Sequence, residues 1–300
     1  MRKKIINISE RSNEKLLYFF LSFYDYKYWL IKLKSLNTMI SKPVKTLNFF
    51  KDRELKEVGK AKYLSYLKSE IYFTFHHLSE TFFSLIYSFY IKDVNPWFVL
   101  TEYRTQQLYD FMEDIDFQRI ELTDDLIKYL FFFGIIGKDS KRKDIQKSIK
   151  FIRDFLIKAT KEYKNHQAYN SHKHGKRCIP LKSSLTITPT GKKQAIASFS
   201  GLDSHTFLST KEIKRDKKNI YLRISQITES FDYKKALRIS KIMFKLIVNM
   251  IESRKQFIDG KKESKVEVFH KQSIKRIFKL NSKSNLISHS INYPTSNPKN

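Results

Sequence analysis

Between Tyr63 and Tyr90, the residues Leu64, Leu67, Ile71, Phe75, Leu78, Phe82, Leu85, Ile86 and Phe89 recur at spacings of three and four, the period of an α-helix. Other aromatic residues fill much of the remainder, so the helix is apolar nearly all round instead of along one stripe. Such a helix must be covered by neighbours on several faces, which places it at the centre of a bundle.

The flanking sequence supplies those neighbours. Residues 13–40 carry a wide aromatic face at helical spacing, and Pro43 breaks the pattern before a lysine-rich bridge from Lys51 to Lys62. Asp93 to Trp97 reads as a loop in which Pro96 ends one helix or opens the next. Further helices are expected over 98–117, over 124–133 behind a Thr123 cap, and over 144–168, where Ile149, Ile152, Phe155, Leu156 and Ala159 share one side. After Cys178 the period changes to two: Ser184 to Thr188, Ala195 to Phe199 and Ile220 to Ile224 alternate, with Gly191 and Gly201 marking turns. Residues 232–257 return to helix, with Ala236, Ile239, Met243, Leu246, Met250 and Ile251 on the apolar stripe. The fold class is mainly α: a helical bundle with a small antiparallel β insertion, about residues 183–225, before the last long helix. The expected organisation is an N-terminal helical element over 1–55, a bundle over 56–257 with the β insertion at 179–227, and a basic, partly disordered tail over 258–300. From Lys255 onward there are ten Lys and Arg against three Asp and Glu, and the last twenty residues read as disordered.

A composition of 41% hydrophobic and 15% aromatic residues excludes disorder throughout. Against that core stand 58 Lys and Arg and only 30 Asp and Glu, a formal charge of +28. An excess of this size points to a polyanionic partner, above all nucleic acid. The lone cysteine, Cys178, excludes an internal disulfide framework and fits a reducing compartment. The basic start is followed by Asn7, Ser9, Glu10 and Arg11, not by an apolar export signal, so the expected location is the cytoplasm. Two apolar stretches, 16–33 and 71–91, are interrupted by Asp25, Lys27 and Lys32 and by His76, His77 and Glu80, so both read as buried helices and no membrane span is expected.

The densest polar cluster is Tyr169-Asn170-Ser171-His172-Lys173-His174-Gly175-Lys176-Arg177. Two imidazoles, three fixed positive charges and an amide are the groups that anion binding or phosphodiester cleavage uses. Asn170 and His174 are four apart, so they share a face if the preceding helix continues to Gly175. The same residues also fit ordinary capping, with Gly175 as the C-cap glycine and Lys176 and Arg177 near the negative helix end. At this cluster Asn170-x-x-x-His174 resembles the signature of the HEPN family of helical proteins, with Tyr169 where that family has arginine. The resemblance implies a metal-independent ribonuclease in which His174 is the acid or base at a ribose hydroxyl, Asn170 orients it or a phosphate, Lys173 or Arg177 supplies the missing charge, and two copies pair as a homodimer. His76 to Glu80, Asn95 to Trp97, the 169–175 cluster and the strand-bearing insert together resemble a group of bacterial helical proteins. That likeness implies that these residues meet in space.

A second cluster, His76, His77 and Glu80, places one imidazole beside a carboxylate on a shared helix face. Coupling to Asn170, Lys173 and His174 would make one polar pocket, and a neighbouring carboxylate would raise the histidine pKa. A metal reading of His77 and Glu80 with His172 or His174 lacks the paired Glu-x-x-His pattern of bundle metal sites, so neither metal nor cofactor is assigned. Ser200, Gly201, Asp203 and His205 read as turn residues between strands, without a nucleophile-elbow pattern. Lys261, Lys262, Lys271, Lys275, Arg276 and Lys279 read as a basic helix and tail that contact phosphates along with Lys176 and Arg177. The leading reading is therefore a non-catalytic basic protein that binds nucleic acid, RNA ahead of DNA, or another partner. The alternatives are the HEPN-like ribonuclease and a small-molecule or metal pocket at Glu80 and His174.

Overall fold

Asp25 interrupts the first predicted helix. Its carboxylate accepts the Lys27 N–H at 3.0 Å, an Asx-turn that leads into a new helix, so residues 13–40 divide into α1 (Glu10–Phe23) and α2 (Lys27–Ser41). Pro43 likewise opens a helix instead of only ending one: α3 (Pro43–Phe49) begins on it, as the fixed φ and missing N–H of proline allow at a first helical position. The computed structural model describes residues 10–49, 58–91, 95–135, 142–164, 167–173, 178–187, 197–215, 220–261, 266–269, 272–279 and 289–294.

The central helix is α4 (Gly59–Tyr90). Ile71, Leu78, Phe82, Phe83, Leu85 and Ile86 are all buried, as an all-round apolar surface requires. Asn95 caps the next helix, α5 (Pro96–Glu102), by accepting the Trp97 N–H at 3.0 Å. The helix expected over 98–117 is broken at Tyr103 and Arg104, because Gln107 accepts the Arg104 N–H and starts α6 (Thr105–Asp116). Thr123 caps α7 (Asp124–Phe131), with Asp124 and Asp125 in the favourable first turn. Helix α8 (Lys143–Tyr163) ends earlier than the predicted 168, and α9 (Gln167–Lys173) is separate from it.

The insertion holds β1 (Cys178–Ile187), β2 (Ala197–Arg215) and β3 (Ile220–Ser230), followed by α10 (Tyr233–Ile258). The strands are antiparallel in the order β1-β2-β3. The insertion begins at Cys178, within a residue of the expected 179–227. Two corrections arise here. Gly201, Asp203 and His205 lie inside β2 and are not turn residues: Gly201 sits where the β1–β2 register shifts, a bulge that glycine suits, Asp203 pairs in register with Lys182 of β1, and His205 pairs with Pro180 of β1 and Glu229 of β3. Within the last twenty residues, expected to be disordered, His289–Pro294 forms β4 and pairs with β3. A short helix, α11 (Gln272–Ile277), precedes it.

The chain divides into two compact units. One comprises Met1–Ile31, His77–Lys164 and Arg238–Lys279; the other comprises Lys32–His76, Asn165–Leu237 and Leu280–Asn300. The core of the first joins Phe82, Leu108, Ile115, Phe131, Phe155 and Met243 from five helices, α4, α6, α7, α8 and α10. In the second, Phe73, Tyr169, Cys178 and Phe207 form the buried cluster, with Tyr72 and Ile227 packed against it.

Candidate nucleic-acid interface

Helix α8 separates its residues by charge. Ile145, Ile149, Ile152, Leu156 and Ala159 are buried, while Lys143, Lys147, Lys150, Lys158 and Lys161 are exposed. At 3.6 residues per turn these five lysines fall within an arc of about 80° and span roughly 27 Å of helix axis. Asp154 is the one acidic residue on that face. The spacing 143, 147, 150, 158, 161 is legible in the sequence by the same periodicity that marks the apolar stripe.

The basic segment after α10 is brought beside this row by specific bonds. Asn249 on α10 ties down Glu267 twice, donating from Nδ2 to its carbonyl at 2.9 Å and accepting its N–H at 2.8 Å. Ser148 on α8 accepts the Phe269 N–H at 2.7 Å, and the Phe269 ring stacks on Phe151 with centroids 5.2 Å apart. Further on, Phe278 packs at 5.7 Å from Phe155, and the Lys158 ammonium lies 5.8 Å from the Phe278 ring. Arg238 donates to the carbonyls of Ile277 and Lys279, satisfying the open end of α11. Ile274 and Ile277 are buried beneath this helix, and Lys275 and Arg276 are exposed on it. The exposed basic residues of α8 and of α11 thus lie on adjacent, packed elements of the first unit. Lys261 is also exposed, near Asp259 at 3.8 Å.

Of the predicted site residues, His174, Lys176, Arg177 and Lys262 lie outside the described residues, as do Gly175 and Lys271. Tyr169 is buried in the second unit's core. Asn170 is half-buried and Lys173 exposed on α9. His76 is buried and stacks on Tyr169 at 5.4 Å, so α4 and the 169–173 segment do meet in that unit. His77 is exposed and meets Trp29 edge-on at 5.0 Å. Glu80 is half-buried, and its carbonyl accepts the Ser84 hydroxyl at 2.7 Å.

The second unit holds a column of rings drawn from residues distant in sequence, which no local pattern marks. His172 stacks on Phe73 at 3.9 Å, Phe73 on His205 at 4.7 Å, and His205 on Phe231 at 4.2 Å. Burial, with a smaller contribution from His172, lowers the His205 pKa to about 3, so this imidazole is neutral at pH 7. Cys178 is buried, and burial followed by the charge of Glu229 pushes its thiol up to about 12, which leaves it a poor nucleophile. Burial also raises the Glu229 pKa. Glu229 faces His205 across β2 and β3.

No protein family, curated protein or solved structure matches this chain. Among the described residues, no group of three His, Cys, Asp or Glu side chains is placed to hold a metal ion, and no helix is long and apolar enough to cross a membrane.

Proposed function

We propose that this protein binds nucleic acid without cleaving it, through the basic surface of α8 and α11, with RNA preferred to DNA. The observation that carries this reading is the row of Lys143, Lys147, Lys150, Lys158 and Lys161, flanked by Lys275 and Arg276, in a chain of net charge +28. Lysines held on one rigid face attract phosphates from a distance and release condensed counterions on contact, which yields sequence-independent affinity. Much of the acidic charge near that face is already engaged. Asp144 pairs with Arg142 at 2.7 Å, and Asp116 with Lys164 at 2.6 Å. The preference for RNA comes from the resemblance of Asn170-x-x-x-His174 to the ribonuclease signature.

The test is fluorescence anisotropy with labelled RNA and DNA in EDTA, comparing the wild-type chain with a Lys147→Glu, Lys150→Glu, Lys158→Glu variant. Exposed lysines contribute little to folding, so the variant should keep its melting temperature and lose affinity at least about tenfold, since each lost phosphate contact removes a share of the electrostatic binding energy. Unchanged affinity would remove α8 from the interface. Cleavage of RNA in EDTA that disappears in His174→Ala would replace the binding reading with the ribonuclease reading.

A further inference from the structure

Along the other edge of the α8 lysine row, away from α11, lies a cavity of about 440 Å³ between α8 and the segment that follows α6. Its apolar lining comes from Ile115, Ile120 and Ile157, and its polar lining includes Gln118, Glu121 and Arg153. The volume falls in the range of roughly 300–1,000 Å³ typical of small-molecule pockets. Arg153 is fixed there: Nε donates to the Leu122 carbonyl at 2.7 Å, and the guanidinium pairs with Asp124. Among the described residues, Gln118 is the one non-glycine residue with positive φ, at 56°. That conformation is costly for a side chain with a Cβ and concentrates at functional sites. Beside Gln118, Phe117 exposes 62% of its surface. The Lys164 ammonium stands 4.7 Å and the Arg119 guanidinium 5.2 Å from its ring.

We propose that this cavity receives an unpaired nucleobase of a single-stranded nucleic acid whose phosphates run along the α8 lysines, with Phe117 as a stacking surface at its rim. The proposal rests on the nucleic-acid reading above and specifies the form of the ligand. Ile157 in the cavity is adjacent to Lys158 and one turn from Lys161, so a base held at Ile157 places its own backbone within reach of both ammonium groups. The isoleucines and the plane of Arg153 cover the faces of the heterocycle, and Gln118 and Glu121 meet its edge amino and carbonyl groups. A base inside a duplex is already stacked and paired and cannot enter such a recess. Single strands are held instead by aromatic faces beside a basic track. Three of the neighbouring carboxylates are already engaged: Asp124 with Arg153, Asp116 with Lys161 and Lys164, and Asp114 with Arg119.

The experiment titrates the full chain into single-stranded RNA and DNA oligonucleotides carrying 2-aminopurine, and into the corresponding duplexes. Ile157→Trp fills the cavity; Phe117→Ala removes an exposed ring and leaves the core intact. The expected result is tighter binding of the single strands with a change in 2-aminopurine emission. Each variant should lose about tenfold in single-strand affinity, with duplex affinity and the Phe117→Ala melting temperature unchanged. Equal losses for single strand and duplex, or no loss for either, would overturn the cavity assignment while leaving a salt-sensitive basic surface in place. Failure of the wild-type chain to bind any of the four polymers would overturn the nucleic-acid reading itself. Comparison of the RNA and DNA arms reports whether the 2′-hydroxyl is recognised.

Discussion

His205 is a histidine that the fold holds neutral. Its ring lies between Phe73 and Phe231, and burial lowers its pKa from 6.5 to about 3. The unfolded chain therefore binds the proton more readily than the folded one, so the stabilisation is fully present above pH 6.5 and is lost as the pH falls toward 3. A His205→Phe variant keeps a flat ring in the column and removes the titration. Its urea midpoint should change less between pH 7 and pH 4.5 than that of the wild type; an equally steep profile would assign the acid sensitivity to other groups. Arg254 poses the opposite problem, a buried cation. Burial lowers its pKa to about 10, so it stays protonated at neutral pH. It donates to the carbonyls of Leu130 at 2.8 Å, Tyr129 at 2.7 Å and Met250 at 3.0 Å, and its guanidinium lies 3.9 Å from the Phe89 ring and 4.9 Å from that of Phe133. The carbonyl ends of α7 and the ring faces supply the negative potential that a carboxylate would otherwise provide. Replacing Arg254 with Met leaves the α7 carbonyls without their donor and should cost about 2–4 kcal/mol in urea unfolding. Lys at this position cannot reproduce the planar fork and should rescue little.

At the scale of elements, what decides where helices stop is side-chain chemistry too local for periodicity to register. Asp25, Gln107 and Thr123 each accept a backbone N–H at a helix start. The end of α7 depends on Gly134, whose φ is +79°. A Cβ there would stand 2.7 Å from Cδ2 of Phe257. Both the left-handed backbone and the contact oppose a side chain, so Gly134→Ala should lower stability by about 1–2 kcal/mol. Thermal unfolding of that variant measures the effect, and an unchanged midpoint would mean that the turn relaxes without cost. The segment 266–269 carries no regular structure, yet it is tied to α8 and α10 by Ser148 and Asn249. Those two polar residues, each on an otherwise apolar helix face, set where the downstream lysines lie.

For the molecule as a whole, charge is the dominant property. A surface that engages five phosphates through the α8 row should show a slope of log K against log salt of about −3.5 on single strands and about −4.5 on duplex. Titrations between 50 and 200 mM salt, at the ~10³–10⁵-fold sensitivity known for six to ten contacts, would measure the number of lysines engaged. A slope near zero would mean that the +28 charge serves solubility and not binding.

The sequence by itself determined the helical class, the burial of α4, the capping by Thr123 and the position of the β insertion before α10, because each depends on a repeat or cap confined to neighbouring residues. It also determined the charge excess, which is a property of composition. The tertiary structure alone decided that His205 is a core residue of a strand, because burial there is set by Phe73 and Phe231, far from it or separated by a strand length in the chain. It likewise decided that Lys158 stands near Phe278 and that Gln118, Ile157 and Arg153 line one cavity. These are contacts between residues distant in sequence, and no local pattern encodes which helix face will meet which loop. The motif at 169–177 shows the same limit from the other side: its spacing was legible, but the burial of Tyr169 depends on a core assembled from α4, β1 and β2.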